Sequence, residues 1–180
     1  MNVKSAKEKY KDKAIPAMME KFGYDNYLAV PKIEKVVINT GIGKIIKEGE
    51  KVDGVIDLLK EIVGQAPIKT RAKKAISGFK IREGLEIGAK VTIRGKRMWD
   101  FIDRLVSATL PRIRDFQGID EHSIDERGNL NLGIKEQVVF PEILPEKMKY
   151  AFGLQITVVT TAKSRKEGKE LFKLIGFPIK

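Results

Sequence analysis

The chain has 180 residues, 35 Lys and Arg against 24 Asp and Glu for a formal net charge of +11, one histidine and no cysteine. That length fits a single domain, residues 1–180, which can bury a core without a staple. The missing cysteines exclude disulfide scaffolds, thiol nucleophiles and cysteine-based zinc sites. No secretory h-region and no apolar run of membrane-spanning length are expected.

In chain order, residues 5–22 read as a helix, with Tyr10, Ala14, Met18 and Phe22 recurring every four positions. Pro16 should kink it or restart it, and Gly23 should stop it. Residues 33–40 are short and β-branched, as a strand requires. From Glu48 to Val63 the apolar positions Val52, Val55, Ile56, Leu59, Ile62 and Val63 trace a helical stripe that ends at Gly64. Residues 66–73 are candidates for an extended segment, and residues 74–86, with Gly78 and Gly84, for a mobile excursion. Residues 87–94 alternate, with Ile87, Ala89, Val91 and Ile93 on one side and Lys90, Thr92 and Arg94 on the other. A helix carrying Met98, Phe101, Ile102 and Leu105 follows and closes at Pro111, with Trp99 assigned to its core side. Residues 115–130 are polar and turn-like, residues 130–138 suggest a strand, and residues 152–161 form a stronger one. Ser164 and Glu167 are spaced as a capping box for a last helix ending at Gly176.

Strands that alternate instead of running fully apolar imply an antiparallel sheet with one covered and one open face. The expected fold class is therefore α+β: two layers, helices packed on one face and the other face open. Period two lists that open face. It holds Lys35 and Asn39 on the first strand, Lys90, Thr92 and Arg94 on a later one, and Lys69, Arg71 and Lys73 if that segment is extended.

The charge is local. Residues 60–100 carry a net +7 of the total +11, which is the footprint of a polyanion-binding surface. Cations with hydroxyl and amide groups on a broad sheet suit RNA, whose wide, shallow groove is read by shape and 2′-hydroxyl contact. A solvated face would alternate in the same way. Phe79 either stacks on a nucleic-acid feature or tucks back to anchor its loop.

No catalytic constellation emerges. Gly41-Ile42-Gly43 follows a strand, but Ile46 stands where a dinucleotide turn needs its third glycine. There is no phosphate loop, and His122 as the lone histidine leaves no two-histidine metal site or Ser-His-Asp set. Asp120, Glu121, Asp125 and Glu126 crowd near it in a solvated turn, or form a docking patch for a basic partner. No catalytic residue, metal or cofactor is expected. A nonspecific, charge-driven nucleic-acid binder is the alternative that composition leaves open.

Several co-linear segments carry a resemblance. Pro31-Lys32-Ile33-Glu34-Lys35-Val36-Val37-Ile38-Asn39-Thr40-Gly41-Ile42-Gly43 resembles the first strand and turn of the universal large-subunit ribosomal protein five family in its bacterial form. So do Gly64-Gln65-Ala66-Pro67, Thr70-Arg71-Ala72-Lys73-Lys74-Ala75 and Phe79-Lys80-Ile81-Arg82. Lys90-Val91-Thr92-Ile93-Arg94-Gly95, Phe101-Ile102-Asp103-Arg104-Leu105, Arg112-Ile113-Arg114-Asp115-Phe116 and Gly176-Phe177-Pro178 continue it.

The resemblance implies a non-enzymatic, cytoplasmic ribosomal protein, monomeric within the ribosome and away from membranes. It would bind 5S rRNA and help seat it in the central protuberance beside the other 5S-binding large-subunit proteins. By similarity, Asn39, Gln65 and Thr92 would hydrogen-bond the 5S rRNA, with Thr40 in the same contact set. Lys35, Lys69, Arg71 and Arg94 would meet phosphates. Lys73, Lys74, Ser77, Phe79, Lys80 and Arg82 match the mobile loop that reaches the P-site tRNA. Arg112 and Arg114 would take part in a bridge to small-subunit protein thirteen.

Overall fold

The computed structural model describes residues 4–43, 49–143 and 151–180. The expected helix start at Glu48 lies outside them. Five strands form one antiparallel sheet: β1 (Ile33–Gly41), β2 (Ile68–Arg71), β3 (Glu86–Ile93), β4 (Leu130–Ile134) and β5 (Leu154–Thr160), in the order β2-β3-β1-β5-β4. The fold class is α+β, as the alternation predicts.

The N-terminal helix opens on a complete capping box. Ser5 Oγ accepts from the Glu8 N–H at 3.3 Å, and the Glu8 carboxylate accepts from the Ser5 N–H at 2.9 Å. α1 (Ala6–Lys9) then widens into a π-helical stretch, Tyr10–Ala14, before α2 (Ile15–Phe22). Pro16 sits in the first turn of α2, where its missing N–H is least costly. The wide turn before it lets the helix restart without a break, and Gly23 ends it at φ 69°. The same device recurs downstream. α4 (Gly95–Arg104) passes through a π-helical Leu105–Thr109 into a short turn, Leu110–Arg112, that holds Pro111.

α3 is Gly49–Val63 and α5 is Arg165–Ile175. At the start of α5 the Ser164 hydroxyl accepts from the Glu167 N–H, but the Glu167 carboxylate takes the N–H of Lys163 rather than that of Ser164. The expected capping box is thus half made, with its return bond one residue early. β4 is shorter than the expected 130–138, because Gln137–Val139 turns. Gln137 is fully buried there, and its side-chain oxygen accepts from the Phe152 N–H at 2.8 Å.

The chain divides into two compact units, Met1–Val36 with Arg94–Leu132 and Thr157–Lys180, and Val37–Ile93 with Gly133–Ile156. In the first, Met18, Phe101, Ile102, Leu105, Leu171 and Phe172 are buried between helices. Trp99 is half-buried with its ring 5.7 Å from that of Tyr10. In the second, α3 buries Val52, Val55, Leu58, Leu59, Ile62 and Val63, while the strands bury Ile38, Ala89, Val91 and Ile93. Each such Val, Leu or Ile side chain contributes roughly 1.5–3 kcal/mol when removed from water.

Candidate nucleic-acid interface

In the second unit the two faces of the sheet separate cleanly. Ile38 and Thr40 of β1 and Ala89, Val91 and Ile93 of β3 are buried, whereas Asn39 and Lys90 are exposed and Thr92 is half-buried. The Ile42 N–H donates to the Ile87 carbonyl at 2.9 Å. Continued along the antiparallel pair, that register sets Asn39 opposite Lys90 on the open side.

Gln65 sits in the turn after α3, which Gly64 makes possible at φ 71°. Its side-chain Nε2 donates to the Thr92 carbonyl at 3.3 Å. The bond ties the amide to the β3 backbone instead of leaving a free rotor. Asn39, Gln65 and Thr92 therefore sit on ordered backbone. Lys35 and Arg94 belong to the first unit. Lys35 is half-buried with Glu34 3.5 Å away, and Arg94 is exposed at the start of α4.

Two expectations need correction. Thr40 is 2% exposed, and its hydroxyl donates to the Gly153 carbonyl at 2.7 Å. It has the parity of Val36 and Ile38, so it belongs to the covered side, and its polar group is satisfied within the fold. The expectation that Lys69 points to the open side also fails, and Lys73 lies beyond the end of β2. β2 pairs with β3 as Ile68↔Lys90, Lys69↔Ala89, Thr70↔Gly88 and Arg71↔Glu86, with an irregularity between Thr70 and Arg71. Directly paired residues share a face, so Lys69 lies on the side of buried Ala89, while Ile68 and Thr70 lie on the open side.

Lys69 is also neutralised. Its ammonium is 3.2 Å from Glu86 and 3.6 Å from Asp53 of α3. The hydrogen bond to Glu86, its charge, and then the Asp53 charge hold the Lys69 pKa above its ordinary value. Thr70 occupies space that only glycine can leave. A Cβ on Gly88 would stand 2.6 Å from Thr70 Oγ1 and 3.0 Å from the Thr40 carbonyl oxygen. Ile68 and Thr70 escaped sequence reading because their side depends on a strand register that no periodicity in four residues reveals.

The excursion between β2 and β3 is a hydrogen-bonded hairpin. Ala72 and Leu85 pair at its base, Ile76 and Ile81 exchange both backbone bonds, and Lys80 turns back at φ 55°. Lys73, Lys74, Ser77, Lys80 and Arg82 are all exposed. Phe79 does not tuck back; it is 77% exposed.

Arg112 and Arg114 are exposed in the first unit. Three of the carboxylates after them are engaged within the fold. Asp120 accepts from the His122 N–H, Glu121 pairs with Lys169 at 2.6 Å, and Asp125 accepts from the Arg127 and Asn129 backbones and the Asn129 side chain. Partial burial raises the Asp125 pKa, but these donors outweigh it and leave it below the ordinary value. Among the described residues no helix is long and apolar enough to cross a membrane, and no His, Cys, Asp and Glu group is arranged to hold a metal.

Comparison with known proteins gives matches over nearly the whole chain. A family model described as ribosomal protein L5 matches residues 26–82, and one for the C-terminus of the same ribosomal family matches residues 86–179. The large ribosomal subunit protein uL5 of Syntrophomonas wolfei is 52% identical over 173 residues, covering 96% of this chain and 97% of that protein. Its counterpart from Halothermothrix orenii is 50% identical over 171 residues, covering 95% and 96%.

Proposed function

The chain belongs to the uL5 family of large-subunit ribosomal proteins, and from that premise we propose that the open face carrying Asn39, Gln65 and Thr92 binds 5S rRNA. The protein is a structural, non-enzymatic constituent of the large ribosomal subunit.

The observation that carries the reading is the orientation of Gln65 by the Thr92 carbonyl, next to a strand whose outward side chains are Thr92 and Lys90. One Gln65 N–H is engaged, so the amide keeps a fixed plane and an acceptor oxygen suited to a 2′-hydroxyl or an exocyclic amine. Thr92 and Asn39 add a hydroxyl and a second amide. Such a flat, preordered polar face fits the wide, shallow groove of A-form RNA, which is read by shape and 2′-hydroxyl contact. Arg94 and Lys35, of the first unit, are proposed separately as phosphate contacts.

The exposed hairpin supports a second contact. Lys73, Lys74, Lys80 and Arg82 offer cations around Phe79, and the proposed ligand is the P-site tRNA. Phe79 stacks on the RNA while the cations screen its backbone. Arg112 and Arg114 are proposed for the bridge to small-subunit protein thirteen. The remaining proposed neighbours are the other 5S-binding proteins of the central protuberance.

The test is binding of the full chain to 5S rRNA, a tRNA and an unrelated RNA hairpin across a salt series. Preference for 5S rRNA that persists as salt rises supports readout by the face. Equal affinities that collapse together, with slopes set only by the phosphates neutralised, would instead identify a charge-driven binder.

A further inference from the structure

Resting on the 5S rRNA reading, we infer that the RNA footprint extends from Asn39 across Lys90 to Ile68, and that Lys90, not Lys69, is the lysine of this region that meets a phosphate. Three observations in the second unit lead there.

The strand register comes first. Ile68 is paired with Lys90, and Lys69 with Ala89. Lys90 therefore stands between Asn39 on one neighbouring strand and Ile68 on the other, all on the open side. Lys69 lies on the side that buries Ala89 and receives α3.

Charge is the second. Lys69 is held by Glu86 and Asp53 at 3.2 and 3.6 Å. To meet a phosphate it would have to leave two carboxylates, exchanging one set of anionic partners for another. Lys90 is exposed and has no ion-pair partner among the described residues. A phosphate near Lys90 displaces only solvent and counterions, which is the exchange that drives binding to RNA.

Shape is the third. Gly88 has no side chain, and Thr70 leans across the space a Cβ would fill. Next to that flat area Ile68 is 70% exposed. In register with Lys90, and through it with Asn39, Ile68 lies within the inferred footprint. Lys69 has a different part. Its ion pairs tie β2 to α3 and β3, which fixes the side on which Ile68 is presented.

The experiment compares salt slopes for the full chain and three variants on 5S rRNA, with an unrelated RNA hairpin in parallel. K90Q should lower the magnitude of the log affinity against log salt slope by about 0.7–0.9, the value of one phosphate contact, and weaken low-salt binding several-fold. K69Q should leave the slope at the wild-type value. I68K, an exposed substitution that does not depend on K90Q folding, should steepen the slope by a similar amount. Loss of slope in K69Q, retention of it in K90Q, or no change in I68K would each overturn the assignment. If the wild type fails to prefer 5S rRNA, the broader reading fails, while the same variants still decide between Lys90 and Lys69 on the hairpin. Binding to neither RNA overturns both.

Discussion

Two regions of the second unit offer polar and basic groups to solvent, and they are built in opposite ways. Asn39 and Thr92 are placed on the open face by strand pairing, Gln65 is tied to β3 by its bond to the Thr92 carbonyl, and the buried side of α3 backs the sheet. In the hairpin at residues 72–85 every basic side chain is exposed, and the described support is a handful of backbone bonds at its base and tip. Hydrogen-bond readout needs donors and acceptors held in place, so it belongs on the packed sheet. A charged, aromatic tip carried on a loop can follow a ligand that changes position, because electrostatic and stacking contacts tolerate displacement.

The hardest way to break this contrast is from behind the sheet. Leu59 is fully buried in α3, and Leu59→Ala should cost about 3 kcal/mol of stability, measured by denaturant unfolding. Affinity for 5S rRNA should fall with it as the face loses its backing. Gly88→Val acts from the front, because its side chain would strike Thr70 and the Thr40 carbonyl. A loss of about 2 kcal/mol is expected in the same melts, within the range for overpacking. An unchanged melting transition would show that β2 can move away freely.

The hairpin should answer differently. Phe79 touches too little to matter for folding, so Phe79→Ala should shift stability by less than about 0.5 kcal/mol and leave 5S rRNA binding alone. Its cost should appear only as weaker tRNA binding to assembled ribosomes, at the low end of roughly 1–3 kcal/mol for a stacking contact. Loss of 5S rRNA affinity instead would merge the two regions into one site.

Much of this architecture was legible beforehand, for identifiable reasons. The stripe from Val52 to Val63 and the alternation at residues 87–94 each impose one periodicity that only one packing satisfies. Parity alone also contained the answer for Thr40, two residues after Ile38, although the resemblance placed it among the RNA contacts. Lys69 was beyond reach. Its side is set by its pairing with Ala89 and its charge is met by Asp53 and Glu86, partners brought together only by the fold. The exposure of Phe79 was undecidable for a related reason, since an aromatic in a loop has no periodicity to obey. The π-helical turns before Pro16 and Pro111 show how a chain keeps a helix running into a proline, which propensity alone reads as an interruption.

The loss of a single hydroxyl from the open face bears most directly on the central claim, that ordered side chains on the sheet read 5S rRNA. Thr92→Ala removes one hydroxyl from the open face and nothing from the core, since the bond from Gln65 is to the Thr92 backbone. Binding to 5S rRNA and to an unrelated hairpin should be measured side by side, with melting curves confirming that the variant is folded. The account predicts a loss of about 1 kcal/mol, roughly fivefold, for 5S rRNA and no change for the hairpin. An equal loss for both RNAs, or none for either, would contradict it.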